Sequence, residues 1–343
     1  MTPTSFRTDV AIIGAGPVGL FAIFECGMLG MACHVIDVLD VAGGQCAALY
    51  PEKPIYDIPA FPQILAGELI ERLQAQAAPF KPAYHLAQQV TELTRLASDR
   101  WQLETSAGTR IEAAAVIIAA GVGAFGPNRP PLAHIERYER QPPGTGVQYL
   151  VKRREDYRDR RVVIAGGGDS AVDWALSLAD VAASVSVVHR RDKFRAAPES
   201  VRRLRELAAA GQIDLVVPFQ LSGLEGDEER LTGVVVRDLE SATRTLDADV
   251  LLPFFGLSQD LGPIARWGLN VYRNHITVDP GSCSAGSPGV FAIGDIASYP
   301  GKLKLIMTGF AEAAVAAHAV HPVVHPGEAL HFEYSTTKGL PTL

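Results

Sequence analysis

The stretch DVAIIGAGPVGL, residues 9–20, constrains this chain more than any other. Residues 10–13 form a short apolar run of the length a buried parallel strand has. Gly14, Gly16 and Gly19 follow as G-x-G-x-x-G, and the helical stretch LFAIFECGML begins at once. Each glycine has a physical reason to be there. Gly14 allows the tight strand-to-helix turn, Gly16 leaves room for a pyrophosphate against the backbone, and Gly19 lets helix and strand pack closely. The free N–H groups at the helix start favour phosphate charge. Glycine turns are common, and a purely structural turn is the competing reading. What separates the two is Asp37, which closes the next apolar run, CHVID. A carboxylate there accepts hydrogen bonds from an adenosine ribose and repels a 2′-phosphate.

The pattern then recurs. Residues 161–165 (RVVIA) read as a strand, Gly166, Gly168 and Ala171 give G-x-G-x-x-A, and the helix AVDWALSLA follows. Asp37 stands 37 − 14 = 23 residues after its first glycine, and the matching position here, 166 + 23, is His189. It opens HRRDKFR, so an acid is replaced by His189, Arg190, Arg191 and, a turn later, Arg195. Guanidinium groups pair bidentately with phosphate. The second dinucleotide therefore carries a 2′-phosphate, which means NADP rather than NAD. A solvated charged face is the bland alternative for these arginines. His189 reads as a phosphate contact rather than a catalytic base. Two such folds, one acidic and one basic at the specificity position, imply two cofactors that must meet.

The 343 residues allow about two domains of ordinary size. A formal charge of −7, from 31 basic and 38 acidic residues, argues against a general nucleic-acid binder. The first eight residues carry no signal-like apolar core, and no apolar run is long enough to span a bilayer, so a cytoplasmic protein off the membrane is expected. Cys26, Cys33, Cys46 and Cys283 form no C-x-x-C and no zinc-spaced cluster, which leaves no metal site to expect. Cys46, after a glycine pair near the first nucleotide, is either reactive or a small packed side chain; packing is the ordinary outcome.

The remaining segments sort by periodicity. Residues 39–62 read as a long loop over the first cofactor. Residues 66–77 form an amphipathic helix, and 84–90, 102–105 and 115–120 strands. GVGAFGPNRPP, 121–131, reads as one interdomain linker and LLPFFG, 251–256, as the return. Residues 213–217, 231–236 and 250–255 read as strands extending a sheet. VFAIGD, 290–295, reads as a buried strand ending in Asp295, at the edge where α/β sheets bind ligands. An Ala-rich helix lies within 302–319, and the tail HFEYSTTKGLPTL is polar and irregular.

Taken together, GAGPVG, VAGGQCAALYPEKPIYDIP, GGGDSAVDWA, HRRDKFR, FFGL, FAIGD and PGKLKLI resemble the ferredoxin–NADP reductases of the thioredoxin-reductase-like type, over essentially the whole chain. The resemblance implies an α/β fold of two Rossmann-like, three-layer ββα domains that bind FAD and NAD(P). The NADPH domain, 122–252, would be inserted in an FAD domain of 1–121 and 253–343. It implies that Gly14, Gly16 and Gly19 hold the FAD pyrophosphate and Asp37 the ribose. Gln45 would lie along the ribityl chain or flavin edge, Tyr50 would stack on one flavin face, and Val90 would meet adenine through its backbone. Phe125 and Asp295 would contact the flavin and ribityl portions. In the tail, Tyr334 would cover the other flavin face and Thr336 approach the ring. For NADPH it implies Gly166, Gly168, Asp169, Ser170, His189, Arg190, Arg191 and Arg195.

The family works as homodimers without the redox disulfide of thioredoxin reductase, and TGVQYLVKRREDYRDRR, where that disulfide would lie, has no cysteine. The activity implied is hydride transfer from NADPH to flavin N5, then single-electron delivery to ferredoxin or flavodoxin, with no acid–base residue. Both linkers are the expected hinge. An acidic carrier needs a basic patch, for which Lys152, Arg153, Arg154, Lys302, Lys304 and Lys338 are candidates. An NADPH oxidase or diaphorase passing electrons to oxygen, a quinone or another protein would carry the same motifs. So would a non-catalytic redox sensor, against which the two intact fingerprints argue.

Overall fold

In a computed structural model, residues 4–227, 230–330 and 339 are described, without the side chains of 124–126 and 257–259. The chain divides into two compact units, Met1–Phe125 with Gln259–Leu343, and Gly126–Ser258.

The first unit is built on the strand Ser5–Ile13. It lies between Cys33–Ile36 and Arg110–Ile118 in parallel register, with Val10 beside Cys33 and Ala115. Ala83–His85 extends the sheet on one side and Val290–Ala292 on the other. Alternation along these strands divides the core. Val10, Ile12, Ala115, Ile117 and Phe291 face the helices Pro17–Met28, Ala66–Ala77 and Ile306–Val324. Ala11, Ile13, Val116, Ile118 and Val290 face the opposite way, onto Trp101, Leu103 and Ile111 of an antiparallel layer. That layer is Val90–Arg95, Trp101–Thr105 and the first half of Arg110–Ile118. Side chains that point alternately to either face of a strand buried on both sides yield a three-layer ββα unit.

The second unit repeats the plan. Its parallel sheet runs Gly146–Val147, Val250–Pro253, Arg161–Ala165, Ser184–Val188 and Asp214–Val216. Val163, Ala165, Val188 and Leu251 pack onto Leu231, Val234 and Val236 of the antiparallel sheet Gln220–Gly226, Leu231–Arg237 and Thr243–Asp247.

Several sequence expectations need correction. Residues 84–90 are two strands, because Ala87 takes a φ of 54° and turns the chain between them. Residues 39–62 hold a short helix, Gly44–Ala48, and half of the hairpin Pro54–Ile55 with Ile64–Leu65. Leu251 and Leu252 are fully buried in a central strand, so a return linker cannot begin there. The strand expected over 290–295 stops at Ala292, and Asp295 lies in a single 3₁₀ turn, Gly294–Ile296. The strand expected over 231–236 belongs to a separate antiparallel sheet rather than extending the parallel one.

Candidate functional site

The first glycine fingerprint is a steric consequence of its turn. At Gly14, φ is 110° and a Cβ would meet the carbonyl oxygen of Ala119 at 2.3 Å. At Gly19 a Cβ would meet the carbonyl oxygen of Gly14 at 2.0 Å, so this glycine sets helix-to-strand packing and does not line the site. Gly16 differs: its backbone is extended, and a Cβ there would find nothing nearer than Gly44 Cα at 4.0 Å. What the glycine keeps open at this point is space.

That space is a cavity of about 340 Å³ at the C-terminal edge of the parallel sheet. It brings together Gly14, Gly16, Asp37, Gln45, Tyr50, Val90 and Asp295, which the sequence scatters over most of its length. The N-terminal ends of Pro17–Met28 and Ile306–Val324 open onto it, so two sets of unbonded helix N–H groups favour anionic groups there.

Asp37 is nearly buried, and its carboxylate ties the site together. Oδ2 accepts from the amide of Ala15 at 2.6 Å and Oδ1 from that of Leu39 at 2.9 Å. A carboxylate offers about four acceptor positions, so lone pairs remain for ribose hydroxyls. Burial pushes its pKa up, and the amides of Leu39, Ala15 and Val38 pull it back. The turn at 86–89 is held against this carboxylate's segment. Ala87 N–H donates to the Leu39 carbonyl at 2.8 Å and Gln88 N–H to that of Asp37 at 2.9 Å, which brings Val90 to the cavity wall.

At the other end, the Tyr50 side chain lies beside the Cys46 thiol, and the Lys53 ammonium lies 5.7 Å from the Tyr50 ring centroid. Burial raises the Tyr50 phenol far above its ordinary value and the Cys46 thiol to about 11. Both keep their protons at neutral pH. Of the two readings of Cys46, the packed one fits: the residue is 2% exposed.

Sequence reasoning missed Glu312. The buried stripe of Ile306–Val324 runs Gly309, Glu312, Ala313, Ala316, Ala317, Val320, and a carboxylate on it must be paired. Glu312 Oε2 accepts from the amide of Gly294 at 2.8 Å, and Oε1 from the Tyr299 hydroxyl at 2.6 Å and from the Lys302 ammonium. The 3₁₀ turn that carries Asp295 thus hangs on a buried ion pair. The period of that stripe, with one acid on it, was the available signal. The same pairing removes Lys302 from any docking patch, since its side chain is 6% exposed. Arg154 is ion-paired with Asp180, Lys152 and Arg153 are exposed, and Lys304 is exposed beside His275 Nε2 at 2.6 Å. Lys338, Tyr334 and Thr336 lie outside the described residues, as does the side chain of Phe125.

The second fingerprint, in the other unit, is built alike. A Cβ at Gly166 would meet the Phe254 carbonyl oxygen at 2.7 Å, whereas Gly168 has nothing within 4 Å. Asp169 and Ser170 begin the following helix, exposed, and Asp169 Oδ1 accepts from the amide of Ala197 at 2.8 Å. Arg195 N–H donates to the Gly167 carbonyl at 2.7 Å. These two bonds pin the HRRDKFR loop against the glycine turn and leave the side chains of Arg190, Arg191 and Arg195 exposed beside it. The His189 ring lies so close over Gly167 that a Cβ there would meet it at 2.3 Å, and it is tilted against Phe194 at 5.1 Å. Burial, and the nearby Arg190, Arg195 and Arg191 charges, lower its pKa, so the imidazole is neutral.

The residues of the first cavity fit a dinucleotide: a glycine with open space beside it, helix N-termini, and a carboxylate with spare acceptors. Comparison with known proteins agrees. The sequence model of the pyridine nucleotide-disulphide oxidoreductase family matches residues 8–319. A protein of Paramagnetospirillum magneticum named ferredoxin–NADP reductase is 63% identical, with 98% of each chain covered. One of the same name from Rhodospirillum rubrum is also 63% identical, again over 98% of each. Among solved structures, Lactococcus lactis thioredoxin reductase superposes with a TM-score of 0.79 at 23% identity, covering 93% of this chain and 99% of that one. At that identity it speaks for the fold alone.

Proposed function

The chain belongs to the pyridine nucleotide-disulphide oxidoreductase family and, within it, to the thioredoxin-reductase-like ferredoxin–NADP reductases; from that premise we propose that it passes electrons between NADPH and ferredoxin or flavodoxin through FAD. The single observation that carries the reading is the contrast between its two glycine turns. One opens on a cavity with a carboxylate at the specificity position, the other on a loop of exposed arginines. FAD, when bound, supplies the exchange between hydride chemistry and single-electron chemistry.

The chain's own residues hold and shape. The turn at Gly14 and Gly16 takes the pyrophosphate, and Asp37 accepts from the ribose. Tyr50, on the cavity wall, would lie against the flavin and exclude water. Asp295, fixed through Gly294 and Glu312, meets the ribityl chain. Gln45, Val90, Phe125, Tyr334 and Thr336 would complete the FAD contacts, Tyr334 by covering the second flavin face. Gly166, Gly168, Asp169 and Ser170 receive the NADPH pyrophosphate, and His189, Arg190, Arg191 and Arg195 its 2′-phosphate end. The phenol of Tyr50 keeps its proton, so no acid–base step is assigned to it. The exposed cations Lys152, Arg153 and Lys304 attract an acidic carrier, and the protein acts as a cytoplasmic homodimer. Among the described residues no helix is long and apolar enough to cross a membrane.

Anaerobic mixing of the FAD-loaded protein with NADPH tests the reading. Rapid bleaching of the flavin and recovery of its colour on adding oxidised ferredoxin or flavodoxin are expected. Bleaching without recovery would move the protein to the oxidase or diaphorase class, and no bleaching would make it a nucleotide sensor.

A further inference from the structure

The HRRDKFR loop has a neighbour that no motif predicts. The amide of Phe219 donates to the carbonyl of His189 at 3.0 Å, which ties the loop to the chain just before the antiparallel sheet. The next residue, Gln220, opens that sheet, and its register partner is Arg237. The pairing carries Arg237 to the flank of Arg190, and both line one shallow groove with Phe219, Gln220 and Leu239.

The charges in this groove are unbalanced. Among the described residues, neither the Arg190 nor the Arg237 side chain makes an ion pair or hydrogen bond. Nearby carboxylates are spent elsewhere: Asp192 pairs with Arg205 at 3.1 Å and Asp214 with Arg244 at 2.6 Å. Asp238, also at the groove, turns its Oδ1 into its own loop, accepting from the amides of Glu240 at 2.9 Å and Ala242 at 2.8 Å. With one carboxylate against two arginines, neither of them ion-paired, the groove keeps a positive charge that calls for an anion of at least two oxygens. Leu239 adds an apolar surface, 85% exposed, fitted to the face of a flat heterocycle.

We infer that Arg237 is a specificity-determining residue for the nicotinamide nucleotide, completing with Arg190 a fork for the 2′-phosphate while Leu239 covers the adenine. The inference rests on the NADPH reading above. Arg237 is exposed at a strand end, so its replacement leaves the core intact.

Calorimetric titration of the FAD-loaded protein with 2′,5′-ADP, and with 5′-ADP as the probe lacking the 2′-phosphate, tests it. Arg237→Ala should weaken 2′,5′-ADP about tenfold, the loss of one charge-assisted contact worth about 1.4 kcal/mol, and leave 5′-ADP unchanged. Arg237→Lys should restore only part, since an ammonium lacks the fork. Leu239→Ser should weaken both probes equally. If Arg190→Ala/Arg191→Ala loses 2′,5′-ADP but Arg237→Ala binds it like the parent, Arg237 has no such role and the NADPH reading stands. If the parent does not prefer 2′,5′-ADP over 5′-ADP, the NADPH reading fails and takes this inference with it.

Discussion

Replacing Lys302 by Met tests how the site is held. The ammonium and the Glu312 carboxylate are both 6% exposed, and Glu312 also accepts from Gly294 and Tyr299. Methionine fills nearly the same volume but leaves the carboxylate buried with two neutral donors. Stranding one member of a buried pair costs about 3–5 kcal/mol. In a unit of this size each kcal/mol lowers Tm by about 2–4 °C, so the apoprotein should melt about 10 °C lower. Thermal unfolding of the FAD-stripped variant reads this directly. Lys302→Met/Glu312→Gln should be more stable than the sum of its parts by at least about 1 kcal/mol, because it strands no charge. Glu312→Gln alone should also weaken FAD retention, since the Gly294 amide loses its carboxylate. A Lys302→Met protein melting within about 2 °C of the parent, the range of an ordinary surface change, would refute the reasoning.

Gly16→Val should fold normally yet purify without FAD, because its side chain meets only cavity, whereas Gly14→Ala should lose stability against the Ala119 carbonyl; melting curves and flavin content distinguish the two. Arg190→Ala/Arg191→Ala should narrow the NADPH-over-NADH ratio of kcat/KM about tenfold or more, read from steady-state kinetics with each nucleotide. Burial lifts the Cys46 thiol from 9.0 to about 11, so between those values the unfolded chain has lost a proton that the folded chain keeps. Stability should therefore fall as pH rises through that window, and Cys46→Ala should flatten the fall in denaturant titrations. Raising salt should slow reduction of an acidic carrier but not of a neutral acceptor, if exposed cations guide docking.

Much of this was legible in the sequence because local rules fix it. Glycine spacing at 14, 16 and 19 marks a turn whose steric needs are local, and Asp37 follows at a distance set by one helix and one strand. The helix Ala66–Ala77 and the strand Arg161–Ala165 lie where periodicity puts them. Long-range pairing decided the rest. Strand Val250–Pro253 looks like any apolar segment, and only its register beside Val162 makes it central. Lys302 looks like a surface charge until Glu312, on a helix later in the chain, is found opposite it. Arg237 carries no motif at all; its pairing with Gln220, next to the Phe219–His189 bond, brings it beside Arg190. The break at Ala87 depends on a backbone angle that alanine does not advertise.

The most direct test of the account is NADPH-dependent reduction of cytochrome c by the FAD-loaded protein, with and without the ferredoxin or flavodoxin of its host. A large rise is expected when the carrier is added. Brisk NADPH oxidation that the carrier leaves unchanged would contradict it.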